Sequence, residues 1–453
     1  MERSNQKRIL VLITNPFAII NVIHSGLMRE LGRHYRISVM SDLLTDADIA
    51  LFNTHFQLRM ELLPFSVPTI PKPLKWLRTI EMLLFGHYFN LETIRIKLME
   101  RSSFAYLLFR ISRNSIALIF LSGTWMIILR NWLIRRTTLP DIGASVAEYG
   151  FQAVISTSPL DLRENIVVNS LKPRGITSIS IIISWDNLTS KGVINSKSDV
   201  VLVWNKPMAL EYERFYTTFG DNARVCITGV PKFDIYFRAS RQSSHRLKDI
   251  LGIDPQTRII LFATCAVKHH SCQNYMIEDL LEYAQSRPDT MILVRCHPGD
   301  DHRRYDRFSR MSNLRFFQPF NANGSQVPPV DFLEMLCLQL TDCDVCIQVA
   351  STMLLDALAC NKPCISIAYD AHSGKRYAGS VKRFYHYSHQ QQLPHDLKEQ
   401  VVYHRRELFE KLDQVLEQGY APNDYRNTVK TAIRRCAPDS VRLTARYIRE
   451  WLD

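Results

Sequence analysis

Short unbroken apolar runs recur along this chain, and each gives way to a small, polar or proline-bearing loop. Ile9 to Ile13 is the first such run, and Asn15-Pro16 ends it. Continuous apolar runs of this length fit parallel strands covered on both faces. Apolar residues at helical spacing follow, through Val22, Ile23, Leu27, Met28 and Leu31, and Arg36 to Met40 reads as the next strand. The chain therefore opens on a strand–helix–strand unit. Further strands are expected at 153–156, 178–183 and 200–204, and 225–229 reads as a strand and turn leading onward. A second series follows at 258–263, 290–295, 345–348 and 364–368, with helices at 277–284 and 353–359 between them. This alternation predicts an α/β protein. At 453 residues it is too long for one ordinary core. Two Rossmann-like domains are expected, over 1–225 and 226–453, with an Arg-rich helix at 427–452 closing the chain.

One stretch breaks the rhythm. Prolines between Pro64 and Pro73 forbid regular structure. Residues 74–136 then read as a helical insertion in which Arg and Lys are interleaved with Trp, Phe, Leu and Ile, including Trp76, Arg101, Arg113, Trp125 and Trp132. Cations beside aromatic and aliphatic faces suit contact with an anionic membrane surface. Its most apolar part, Ile116 to Leu129 between Arg113 and Arg130, falls short of the ~20 residues a spanning helix needs. It is expected to be buried or interfacial, on a protein of the cytoplasm or of the inner membrane face. The apolar run after Lys7 and Arg8 is too short for a secretory signal and reads as a strand.

Composition adds a sign. A formal net charge of +12 favours an anionic partner. No helix-turn-helix, zinc-finger or stacking-sheet pattern is present, so nucleic acid is not the expected one. Ten cysteines are scattered through the chain. Cys343 and Cys346 have C-x-x-C spacing without a second half, so buried reduced thiols are expected and no metal site.

Four places carry candidate chemistry. Arg295-Cys296-His297-Pro298 ends a strong strand, where planar guanidinium donors and an imidazole can clamp phosphate. Ser351 and Thr352 precede the 353–359 helix and offer hydroxyls and free N–H groups to phosphate, with Asp356 one turn on, placed to reach a ribose hydroxyl. Ser184-Trp185-Asp186-Asn187-Leu188-Thr189-Ser190-Lys191-Gly192 follows another strand. Asp186 is placed to act as a base towards an acceptor hydroxyl, Lys191 to meet phosphate, and Trp185 to stack on a sugar. Asn15 and His24 flank the first strand–helix turn, and His24 is a second candidate base.

Taken in order, Trp-Asp-Asn-Leu-Thr-Ser-Lys-Gly, Thr-Gly-Val-Pro-Lys-Phe-Asp, Arg-x-His-Pro and the Ser-Thr pair resemble GT-B glycosyltransferases. The likeness is to the CDP-glycerol glycerophosphotransferases of teichoic-acid synthesis and to capsule polysialyltransferases. It implies two Rossmann-like domains facing across a cleft and a C-terminal helix crossing back. It also implies that His297, Ser351 and Thr352 hold donor phosphates, with Arg295, Asp356 and Gly229 on the donor side and Trp185, Asn187 and Lys191 towards the acceptor. In the glycerophosphotransferases a His follows the Trp as base; Asp186 stands there in this chain. The implied reaction moves a sugar or glycerol-phosphate group from a nucleotide-sugar or CDP-type donor to a glycan or lipid-linked acceptor, without metal or cofactor. A nucleotide-sugar 2-epimerase on the same fold is the alternative.

Overall fold

The computed structural model describes residues 6–65, 67–239, 246–320, 326–371, 376–417, 429 and 439–453. The first sheet has seven strands: β1 (Arg8–Ile13), β2 (Arg36–Ser41), β3 (Met60–Leu63), β4 (Phe151–Ser156), β5 (Thr177–Ile181), β6 (Val200–Val203) and β7 (Arg224–Ile227). They are parallel, in the order β3-β2-β1-β4-β5-β6-β7. The second sheet has β8 (Arg258–Ala263), β9 (Thr290–Arg295), β10 (Leu314–Phe317), β11 (Val345–Gln348), β12 (Cys364–Ile367) and β13 (Val401–Val402). It too is parallel, ordered β10-β9-β8-β11-β12-β13. The apolar runs are buried because helices cover both faces; every side chain from Ile9 to Ile13 is sealed from solvent.

Strand order reverses between β1 and β4 and again between β8 and β11. Loops leaving neighbouring strands there diverge to opposite faces, which opens a crevice at the carboxyl edge of each sheet. Residues 225–229 form a strand end and a turn that lead onward, as expected. β7 pairs with β6 as the edge of the first sheet, so the passage between domains lies after Ile227.

Seven helices matter for the site: α1 (Asp46–Phe56), α2 (Lys72–Tyr88), α3 (Glu92–Arg101), α4 (Ser103–Ser112), α5 (Ile116–Arg136), α6 (Met353–Ala359) and α7 (Ser440–Leu452). α2 to α5 form the helical insertion. α5 is longer than its apolar stretch suggests, at 21 residues, and among the described residues it is long and apolar enough to cross a membrane. Its inner face is nevertheless protein. Arg130 is fully buried, donates to the carbonyls of Ile194 and Ser196, and pairs with Asp221 at 2.6 Å. Gly123 lies so close to Tyr88 of α2 that a Cβ would stand 2.5 Å from the ring. The outer face of α4 and α5 is apolar and bare: Phe104, Ile111, Ile116 and Phe120 are each exposed.

Of the expected terminal helix, 427–438 lies outside the described residues apart from Val429, and Ser440–Leu452 is helical. α7 packs on the first domain, where Ala445 and Ile448 join its core and Lys7 donates to the Leu452 carbonyl at 2.7 Å. The buried cysteines include Cys343, Cys346, Cys360 and Cys364, whereas Cys272 is exposed.

Candidate functional site

Loops from the carboxyl ends of β1, β4, β5, β6 and β11 meet at a cavity of about 490 Å³ between the domains. The first domain supplies Asn15, Asp161, Asp186, Asn187 and Lys191, and α2 adds Arg78. The second domain supplies Thr352, and the interdomain passage supplies Lys232. Residues nearly 340 positions apart thus share one wall, as the fold's switch points require.

Asp186 is the most constrained group there. Its carboxylate accepts from Ser184 Oγ and Ser190 Oγ, both at 2.6 Å, and lies 3.4 Å from Lys191 Nζ. Burial pushes its pKa up, but the charges of Lys191 and His389 and the two serine hydroxyls outweigh that and hold it well below the usual carboxylate range. The group therefore stays ionised. His389 lies on the second domain with its ring edge against Trp185, at 4.9 Å between centroids. Trp185 thus packs on the second domain, partly buried.

His297 stands across the cleft. Its Nδ1 accepts from the Gly299 N–H at 2.9 Å, and its own N–H donates to Thr264 Oγ1 at 2.8 Å. Burial lowers its pKa to about 4, with His269 and Lys268 adding like charge. A neutral ring whose Nδ1 accepts carries its proton on Nε2, so His297 is a hydrogen-bond donor. Its ring lies 6.4 Å from that of Phe17 in the first domain. Lys97 is a further cation near this centre: its Nζ donates to the Ser190 carbonyl at 2.6 Å. Burial and Lys191 lower its pKa to about 8.

Ahead of α6 the chain turns sharply. Ala350 has φ +42°, a left-handed conformation that costs a residue with a Cβ of the order of 1 kcal/mol. The strain is held by Tyr385 OH, which accepts from the Ala350 N–H at 3.1 Å, and by Gln390, which donates to the Ala350 carbonyl at 3.2 Å. The turn brings Thr352 to the cavity. Ser351 is partly engaged locally, its N–H donating to Gln348 Oε1 and its Oγ accepting from the Met353 N–H.

Three expected residues stand elsewhere. His24 does not face the cleft: it packs on Phe52 and Phe56 of α1, with neither ring nitrogen hydrogen-bonded. The helix after β1 turns it away while Asn15, at the strand end, stays. Arg295 is enclosed between the rings of Phe317 and Phe332 and donates to Gln339 Oε1 at 2.5 Å. Two residues beyond it, His297 reaches the cleft. Asp356 is buried against Lys232 Nζ at 2.7 Å, so it holds a cation in the cavity wall instead of offering itself to a ribose. Gly229 has φ +76° and shapes the passage that presents Lys232.

Arg78, Lys97, Lys232, Lys268, His269 and His389 were not singled out as site residues on sequence. Lys232 lies within the Gly-Val-Pro-Lys-Phe-Asp run, and Lys268-His269 follows β8, a strand end like the others. The remaining three carry no local signal. Asp342 and Asp344 accept from the backbone N–H groups of Leu247 and Ile259, a structural use.

A family model described as CDP-Glycerol:Poly(glycerophosphate) glycerophosphotransferase matches residues 187–437, more than half of the sequence. The chain belongs to this family. The glycerophosphotransferase match begins one residue after Asp186 and spans Lys191, Lys232, His297, Ser351 and Thr352. A search of curated proteins finds no match.

Solved structures share the fold at low identity. UDP-GlcNAc 2-epimerase from Neisseria meningitidis bound to UDP-GlcNAc is 9% identical, with 98% of this chain and 100% of that one covered and a TM-score of 0.56. A putative UDP-N-acetylglucosamine 2-epimerase from Listeria monocytogenes is 10% identical, covering 98% and 96%, with a TM-score of 0.58. The glycotransferase of kitacinnamycin is 10% identical, covering 99% and 100%, with a TM-score of 0.50. At such identity the likeness is one of fold, and it places the chain among GT-B architectures. With the family match, the protein is a transferase that uses a nucleotide-activated donor.

Proposed function

We propose that this glycerophosphotransferase-family enzyme transfers a glycerol-phosphate group from a CDP-activated donor to a hydroxyl of a phosphate-containing, lipid-linked or surface polymer. The observation that carries the reading is the convergence of Asp186 and Lys191 from one domain with Lys232 and Thr352 around one cleft, with His297 beside it against Phe17.

In this reaction the acceptor oxygen forms a new bond to the donor's glycerol-bearing phosphorus. The bond from that phosphorus to the nucleotide oxygen breaks, and the nucleoside monophosphate leaves with the electron pair. Negative charge grows on the leaving oxygens, and Lys232, Thr352 and the Nε2–H of His297 meet it without reorganising. Phosphoryl transfer is loose, so the attacking hydroxyl needs orientation more than a strong base. An ionised, low-pKa Asp186 suits that role: it aligns the hydroxyl and takes its proton late. Lys191, held beside it, offsets the charge of the incoming phosphate. The side chains supply these charges themselves, and the reaction is proposed to need no metal.

The same reading gives the bare outer face of α4 and α5 a use. Its exposed Phe and Ile side chains, with Arg110, Arg113, Arg135 and Arg136 at the helix ends, suit an anionic inner membrane face. The burial of Arg130 within the protein favours a helix lying on that surface over one crossing it.

The test is a melting-temperature panel with CDP-glycerol, CMP and UDP-GlcNAc, paired with CMP release in the presence of a glycerol-phosphate oligomer. A ligand at 100 times its Kd stabilises by about 2.7 kcal/mol, so binding is easily read. Cytidine ligands should raise the midpoint. His297→Ala should slow CMP release at least 100-fold at an unchanged apo midpoint. Stabilisation by UDP-GlcNAc alone, with epimerisation and no acceptor requirement, would sink this reading in favour of the epimerase.

A further inference from the structure

A second cavity of about 670 Å³ lies beside the cleft, roofed by the proline-rich segment after β3 and floored by α2. Arg78, Asp161 and Lys191 line both spaces, so the two are continuous. Moving outward from the shared wall, Lys75 lies one turn from Arg78 on α2, and Arg101 ends α3 at the rim. Phe65, Val67 and Met82 give the groove an apolar lining between these cations.

The charges here are not balanced by the protein. Both carboxylates of the groove belong to Arg163: Asp161 meets it at 2.6 Å, and Asp42 pairs with it as well. Among the described residues the side chains of Lys75, Arg78 and Arg101 form no hydrogen bond or ion pair. Arg78 is half-buried, so its guanidinium has lost part of its water without gaining a counter-ion. Its nearest acids are Glu81 and Asp161. Glu81 is tied to Asn195 at 2.8 Å and tends to the neutral form, its pKa raised to about 7 by burial. A partly desolvated cation without a partner is costly unless an anion completes the site. The planar fork of Arg matches phosphate oxygens two at a time.

We infer that this groove binds the acceptor's phosphate groups, seating one phosphate on Arg78 and leading the chain inward past Lys191 to Asp186. This rests on the transfer reading above, which it extends by giving the acceptor a track outside the donor cleft. Phosphates joined by short polyol units fit a groove whose cations are spaced along α2 and at the end of α3 and separated by apolar wall. The outer end lies at Arg101, three residues before exposed Phe104 of α4. An acceptor carried on a membrane lipid would therefore enter from the side that carries the bare apolar face.

The probe is a dye-labelled synthetic glycerol-phosphate hexamer, read by fluorescence anisotropy with the whole protein. A water-soluble short-chain isoprenyl diphosphate serves as a second arm. The hexamer should bind the unaltered protein, and Arg78→Gln should weaken it at least tenfold; Lys75→Gln, outside the donor cleft, should leave the CDP-glycerol melting shift unchanged. The exposed rim pair Lys75→Gln with Arg101→Gln guards against misfolding and should weaken the hexamer several-fold. If only the isoprenyl diphosphate responds to these variants, the groove's phosphate comes from the lipid carrier and the site stands. Hexamer and diphosphate binding unchanged in all variants would overturn the inference. Loss of the nucleotide shift with groove binding intact would sink the donor reading alone.

Discussion

His24 shows what a single side chain can reveal when both its ring nitrogens go unpaired. Burial, helped by His55, lowers its pKa from 6.5 to about 4. Between these values the unfolded chain takes up a proton that the folded one refuses. The stability contributed by the neutral ring is therefore full above about pH 6.5 and is lost as pH falls towards 4. His24→Leu removes two unsatisfied polar atoms and keeps the contacts with Phe52 and Phe56. It should add about 1 kcal/mol and flatten the loss of stability between pH 6.5 and 4 in melting curves. An unchanged acid limb would mean that other buried histidines set it. At the same scale Asp186 and His297 are opposites: one is locked in its charged form by four partners, the other kept neutral by burial.

The helical insertion is the element that departs from an ordinary Rossmann-like domain. Its inner surface is fixed by Arg130, Asp221 and the tight Gly123–Tyr88 contact, while its outer surface shows Phe104, Ile111 and Phe120 to solvent. Exposed apolar patches of this kind mark contact surfaces. Flotation with vesicles containing anionic phospholipid should recover the unaltered protein. Phe104→Ser combined with Leu108→Ser and Phe120→Ser should lower recovery tenfold or more at unchanged melting temperature. Failure of the unaltered protein to float would remove the membrane from the reading. α3 acts differently, as a strut between domains: Glu100 pairs with Arg383 at 2.6 Å and Thr93 accepts from the Ser388 N–H at 2.8 Å.

At the scale of the whole molecule the Gly-Val-Pro-Lys-Phe-Asp run does three jobs in six residues. Gly229 makes the turn, Lys232 crosses to Asp356, and Asp234 accepts from the N–H groups of Ser440 and Val441 at 3.1 and 3.0 Å. That last contact caps α7, the helix that returns to the first domain. Burial raises the Asp234 pKa to about 6, against the two N–H groups that favour its charged form. Asp234→Ala should cost about 1–3 kcal/mol, the penalty for unsatisfied buried donors. It should also speed amide exchange across Ser440–Leu452 before the rest of the chain. Exchange unchanged there would mean that packing of Ala445 and Ile448 alone seats the helix.

Strand positions, the α/β class, the helical insertion and the strand-end placement of Asp186, His297, Ser351 and Thr352 were all legible in the sequence. They follow from local rules: short unbroken apolar runs bounded by turn residues suit buried parallel strands, and ligands gather where such strands end. The short edge strands β3, β10 and β13 lacked a run long enough to read, and β7 could not be assigned to a sheet until its neighbour was known. Which side chains turn into the cleft was settled only by tertiary structure. Arg295 and His297 are two residues apart, yet a pocket between Phe317 and Phe332 takes the first and leaves the second free. His24 and Asn15 part company because the helix after β1 rotates one of them onto α1. Arg78, Lys97 and His389 enter the story only because distant segments pack around them. A one-dimensional pattern records periodicity and chemistry along the chain, whereas a cavity is made by contacts across it.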